Sequence, residues 1–229
     1  MPRCVPAPSN DVGLHAPELS KQVIGEHTHR GVFFPWSLVI VQCTFRSMDK
    51  SLLKPKRKSH IDKGEIYFWT ATINNWQRLL EKDEYKDVII QSLQYLTDEG
   101  KIDVFAFIIM PNHVHFIWRI NELNGKESPQ GSFLKYTGHE FKKMLRKEGG
   151  GKLAAYAVDA DNKKYEFWQR DSLAIPLFTK KVAMQKLTYI HFNPLAEHWQ
   201  LVKDPCDYKY SSARFYELND KNFSFLKNM

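Results

Sequence analysis

The sequence predicts an α+β fold, and three observations predict it. Met110–Ile120, MPNHVHFIWRI, alternates its side chains with the two-residue period of a strand. Just before it, Ile102–Ile109 is a nearly unbroken apolar run, the mark of a central strand buried on both faces. Stretches of helical spacing flank both, so the order from Glu65 is strand, helix, strand, strand, helix, strand, helix. The first six elements match a split βαβ, ferredoxin-like arrangement with an antiparallel sheet. The seventh is an additional C-terminal helix, and it carries a tyrosine.

Each element has its own signal. Glu65–Ile73 is rich in β-branched and aromatic residues and reads as a strand. Asp83–Thr97 reads as a helix because Tyr85, Ile89, Leu93 and Leu96 recur at helical spacing, and Gly100 ends it. Pro111–Asn112 turns the chain back into His113–Ile120, an antiparallel neighbour of the preceding strand. Ser132 is positioned to cap a helix running to about Lys147. Lys152–Tyr165 reads as an irregular insertion or a short hairpin. Glu166–Phe178 holds the next strand. Lys180–Phe192 is a helix stopped by Pro194. The stretch DPCDYKYSSARFY brings turn residues and then a short helix.

These elements divide the chain into an N-terminal extension (1–47), a basic leader (48–63), a functional domain (64–216) and a C-terminal tail (217–229). The extension holds two of the three cysteines and a possible strand at Phe33–Phe45. Three scattered cysteines exclude a disulfide framework and a zinc knuckle and suit a reducing compartment. The longest apolar run, Val32–Cys43, is too short to span a bilayer. The expectation is a cytoplasmic, nucleoid-associated protein with no membrane partner. A formal charge of +7 over 229 residues favours polyanions such as nucleic acid.

The chemistry starts at His113 and His115, which share one strand face with Ile117 and Arg119, while Val114, Phe116, Trp118 and Ile120 face a core. Two adjacent imidazoles are half of a metal site. On the last helix, LTYIHFNP sets Tyr189 and Asn193 four residues apart on about one face, with Lys186 joining them. If that helix lies across the sheet, Tyr189 meets the histidine pair and Asn193 offers its amide oxygen as a third ligand. Pro194 biases Asn193 away from the α region, against that direction. Two imidazoles and a neutral oxygen suit a hard divalent cation, Mg2+ or Mn2+. A tyrosine there is a nucleophile for transesterification of a phosphodiester. A phenol titrating at about pH 10 must be offset by the metal, by a nearby cation or by a base, and spacing places Lys186 or Arg119 to supply positive charge.

The ordered set MPNHVH, WQR at Trp168–Arg170, YIHFNP and DYKYSSA resembles the REP-associated tyrosine transposases, a group within the single-tyrosine His-hydrophobe-His (HUH) transposases. The resemblance runs from about Gly64 to Tyr216. It implies that Tyr189 attacks a single-stranded DNA phosphodiester, leaving a 5′-phosphotyrosine and a free 3′-hydroxyl. It implies that His113, His115 and Asn193 hold the metal. It also implies short imperfect hairpins in palindromic DNA as the partner, bound by a monomer or a homodimer. Candidate DNA contacts are Arg119, Lys186, Gln169, Arg170, Lys142, Lys143 and Arg146. The chain departs from a minimal member in residues 1–47 and in a longer Gly149–Tyr165 stretch.

Two other functions compete. One is a hairpin-binding protein that no longer cuts. The other is a phosphoester hydrolase with a histidine nucleophile, which wants a third histidine where this chain has Ile117. His60, His139, His191 and His198 have no partner pattern and read as surface, and Trp118 and Trp168 read as packing groups.

Overall fold

A computed structural model describes residues 61–160, 163–170 and 172–229. The expected strand at 33–45 and the basic tract at 54–58 lie outside the described residues. The elements are β1 (Ile66–Thr72), α1 (Asp83–Asp98), β2 (Ile102–Ile109), β3 (His113–Ile120), α2 (Pro129–Glu148), β4 (Ala157–Ala160), β5 (Lys163–Tyr165), β6 (Leu173–Pro176), α3 (Lys180–Phe192) and α4 (Ala213–Leu218). The main sheet runs β2-β3-β1-β6, with every neighbouring pair antiparallel. β1 and β2 therefore run parallel with β3 between them, which is the split βαβ arrangement. The histidine strand is interior.

One sheet face is an aromatic layer. Trp69 packs on Trp118 at 4.8 Å between ring centroids, and Phe133 of α2 sets its edge on Phe116 at 5.4 Å. Tyr85 of α1 meets Phe141 of α2, which closes the two helices over that face. Each fully buried ring is worth ~2–3 kcal/mol. An exposed ion pair such as Lys82–Glu148, between the helices' ends, is worth ~0–1 kcal/mol, so the rings fix the helices on the sheet.

One face of β3 is expected to turn to the core and the other, with its histidines, to the last helix and a ligand. The structure buries both, with Arg119 alone half-exposed, because α3 and Trp199 lie over the histidine side. The outer edge of β2 is covered too. Ile109 donates its N–H to the Tyr210 carbonyl, Ser212 to Phe107, and Lys227 to Val104. Residues 217–229, expected as a tail, bring Phe225 and Leu226 into the core.

Two local expectations change. α2 begins at Pro129 rather than after Ser132, because Ser128 is the cap: its hydroxyl accepts the Gly131 N–H at 3.2 Å. Proline fits the first helical position, where its missing N–H costs nothing. Asn193 keeps helical angles (φ −56°, ψ −41°) despite the following proline, since α3 passes straight into a 3-10 turn, Asn193–Leu195. The Gly149–Tyr165 stretch resolves into a 3-10 turn and the β4–β5 hairpin. Among the described residues no helix is long and apolar enough to cross a membrane.

Candidate active site

β1 and β3 pair so that Thr72 faces His113 and Thr70 faces His115. The two imidazoles stand 4.7 Å apart between centroids, and both are buried. Their Nδ1 atoms are taken up by neighbours. His113 Nδ1 lies 2.6 Å from the Asn112 side-chain oxygen, and His115 Nδ1 lies 2.7 Å from the Thr70 hydroxyl.

The first of these bonds fixes a tautomer. Asn112 Nδ2 donates to the Trp76 carbonyl at 3.3 Å, and a carbonyl can only accept. The amide orientation follows, so its oxygen faces His113 and Nδ1 must carry the proton. The Nε2 lone pair of His113 is left free, as in a metal-ligating histidine oriented by its other ring nitrogen. His115 Nε2 is buried and has no hydrogen-bond partner. Leaving such an atom unpaired costs ~1–3 kcal/mol, which a ligand on it would relieve.

Both rings are held neutral. Burial, and then the neighbouring His198, push His113 down to about 4. His115 lies well below the usual histidine range through burial, His113 and Lys186, in that order. Neutral imidazole is the form that binds metal.

α3 supplies the rest. Thr179 caps its start by accepting the Val182 N–H. The Tyr189 ring stands 5.2 Å from that of His115 and 5.9 Å from that of Phe68, and the residue is 49% exposed. The Lys186 ammonium sits 4.7 Å from the Phe68 ring and 5.6 Å from the Tyr189 ring. Asn193 is buried and lines the same cavity of about 410 Å3 as His113, His115 and Tyr189. Among the described residues no third histidine, cysteine or carboxylate forms a three-membered metal-holding group with the pair, although His198 lines the same cavity. The donors at hand are two neutral imidazoles and an amide oxygen, and with the orphaned His115 Nε2 they fit a divalent cation.

A second cavity of about 380 Å3 shares Tyr189 and His115 and adds Lys186 and Gln169. Through Gln169 and Ser172 it meets a groove of about 980 Å3 between α2, residues 163–170 and Ser172. Lys135, Lys142, Lys163, Lys164 and Arg170 line this groove. The basic groove is thus continuous with the cavity that holds Tyr189 and Lys186.

Not every expected contact is there. Arg119 points to Asp103, far along β3 from the histidines, and Lys227 binds the same carboxylate. Arg119 supplies no charge to Tyr189. Lys142 lies in the groove over the Tyr165 ring, whereas Lys143 is paired with Glu140 and Arg146 is exposed outside the groove lining. Gln169 and Arg170 line the groove, and Arg170 also pairs with Glu166.

Four residues at the site were given no role in it by the sequence: Thr70 and Asn112 behind the imidazoles, and Trp76 and His198 on the cavity wall. His191, expected at the surface, is buried, with Nε2 3.0 Å from the Ser212 hydroxyl.

No family model and no curated protein matches the chain. A structure of a REP-associated tyrosine transposase bound to a REP hairpin shares its fold. The match has a TM-score of 0.50 and 16% identity, and covers 76% of this chain and 92% of that one. A crystal structure of a Deinococcus radiodurans R1 protein, provisionally assigned as a transposase, overlaps with a TM-score of 0.33 and 14% identity, over 59% of this chain and 95% of that one.

Proposed function

We propose that this protein cuts and rejoins single-stranded DNA beside hairpins, as a transposase, with Tyr189 as the nucleophile. The observation that carries the reading is the Tyr189 ring 5.2 Å from His115, whose Nε2 is buried without a partner, in a cavity that Asn193 also lines. The shared fold with a hairpin-bound transposase supports the substrate class. The basic groove that reaches the tyrosine supports a phosphate backbone as the ligand.

In this reading Tyr189 Oη attacks the scissile phosphorus and gives up its proton. The bond from phosphorus to the 3′ oxygen breaks, and that oxygen leaves as a hydroxyl, taking up a proton. The product is a 5′-phosphotyrosine. A 3′-hydroxyl attacking it in return rejoins DNA, and the number of phosphodiesters is conserved. Lys186, over both rings, places a positive charge where the phosphodiester enters. His113, His115 and Asn193 would hold Mg2+ or Mn2+, which supplies Lewis-acid polarisation of the phosphodiester when bound. Thr70 and Asn112 keep the two imidazoles turned toward that place.

The test uses hairpin oligonucleotides from the DNA flanking the gene, with purified protein and Mn2+. A denaturant-stable protein–DNA adduct is expected in wild type and absent in Tyr189→Phe. Tight binding without an adduct in any divalent metal would instead make this a hairpin-binding protein. An adduct surviving in Tyr189→Phe would move the nucleophile elsewhere.

A further inference from the structure

Trp76 is 61% exposed, whereas Trp69, Trp118 and Trp168 are buried. Exposure alone is ordinary for a single surface ring, and Tyr95, Phe178 and Phe192 share it. The backbone of Trp76 makes its placement unusual. Asn75 and Trp76 both adopt left-handed angles (φ 54° and 57°), which a bulky residue avoids.

The surrounding bonds hold it there. Trp76 donates its N–H to the Ile73 carbonyl at 3.0 Å, and its own carbonyl accepts from Asn112 Nδ2. Ile73 donates to the Asn112 carbonyl, and Leu80 to that of Pro111. The segment is thus tied on both sides to the turn that leads into His113. A strained conformation that its neighbours enforce is a feature of functional sites.

Its position says what the ring is for. Trp76 walls both cavities that flank Tyr189, the one with His113 and Asn193 and the one with Lys186. A single strand lying in either cavity beside the tyrosine runs along a wall that includes the indole. Every nucleobase offers a π-face to such a ring. Resting on the strand-transfer reading above, we propose that Trp76 is a base-stacking platform that holds the nucleotide next to the scissile phosphate. Its carbonyl is also joined through Asn112 to His113, so the same residue that seats the base is in register with an imidazole of the site.

The test is a double-mutant cycle in the full chain, in a Tyr189→Phe background so that binding is read without cleavage. Hairpin oligonucleotides carry a single abasic site, moved one position at a time through the strand flanking the hairpin. On intact DNA, Trp76→Ala is expected to weaken binding by about 10- to 100-fold, and Trp76→Phe by less. At one position, and only there, the abasic site removes the difference between Trp76 and Ala. The slope of log affinity against log salt stays unchanged in Trp76→Ala, since a stacked base releases no counterion. Wild-type affinity in Trp76→Ala overturns the platform, and so does a loss that no abasic position absorbs. Either result leaves the strand-transfer reading intact if the adduct still forms with Tyr189 present. A chain that binds none of the oligonucleotides overturns both.

Discussion

The protonation of His113 is decided two residues away in space, by a carbonyl. Trp76 fixes the Asn112 amide, and the amide fixes the imidazole. Asn112→Leu keeps the volume and removes the bond. Mn2+ affinity, measured by titration calorimetry, is expected to fall by about 10- to 100-fold, the usual cost of losing such a supporting bond. Unchanged affinity would mean that the orientation of the ring is set by packing alone. His113 with His115, and Tyr189 with Asn193, were readable as pairs because each pair lies in a short, regular spacing on one element, whereas their meeting in one cavity rested on the resemblance. Asn112 and Trp76 were not readable as partners. Their meeting depends on two left-handed residues that composition does not announce. Arg119 failed for a simpler reason. Alternation gives the face of a residue but not its reach, and four residues of strand are about 13 Å.

At the level of elements, α3 works on both sides. Tyr189 and Asn193 line the cavity, while His191, two residues from the tyrosine, turns inward to Ser212 and the Tyr216 ring. Two residues are a rotation of about 200° on a helix, so these sides are opposed. Burial pushes His191 down to about 4. The unfolded chain binds its proton near pH ~6.5 and the folded chain does not, so stability is full above that pH. It is lost as the pH falls from about 6.5 toward 4, by ~3 kcal/mol for this one group. Chemical denaturation of metal-free protein across this range should show the loss in wild type and a shallower one in His191→Gln. Identical slopes would mean that His191 is not buried in solution. The periodicities of α1, β2, β3 and α3 were strong enough to place each within a residue or so. The start of α2 was missed because Ser128–Pro129 is a cap signal and Ser132 looks like one. Such signals are local, and only the hydrogen bond chooses between them.

Over the whole molecule, the sheet is finished by segments far from it in sequence. Residues 210–212 and Lys227 cover the outer edge of β2, and Phe225 packs beside Phe107. This closure was not legible, because FSFL is too short to show a period and its partner strand lies over a hundred residues earlier. Phe225→Ala is expected to cost ~3–5 kcal/mol in urea denaturation and to promote aggregation through the freed edge. A loss under ~1 kcal/mol, within the range of a surface substitution, would show that the segment is a passive cover. The same feature sets a timetable during synthesis. β2 leaves the ribosome with its outer rim open, and the residues that close it follow about a hundred positions later. At ~5–20 residues per second the rim waits on the order of ten seconds for its cover. In that interval a neighbouring nascent chain has the same backbone groups on offer, and slower translation lengthens the wait.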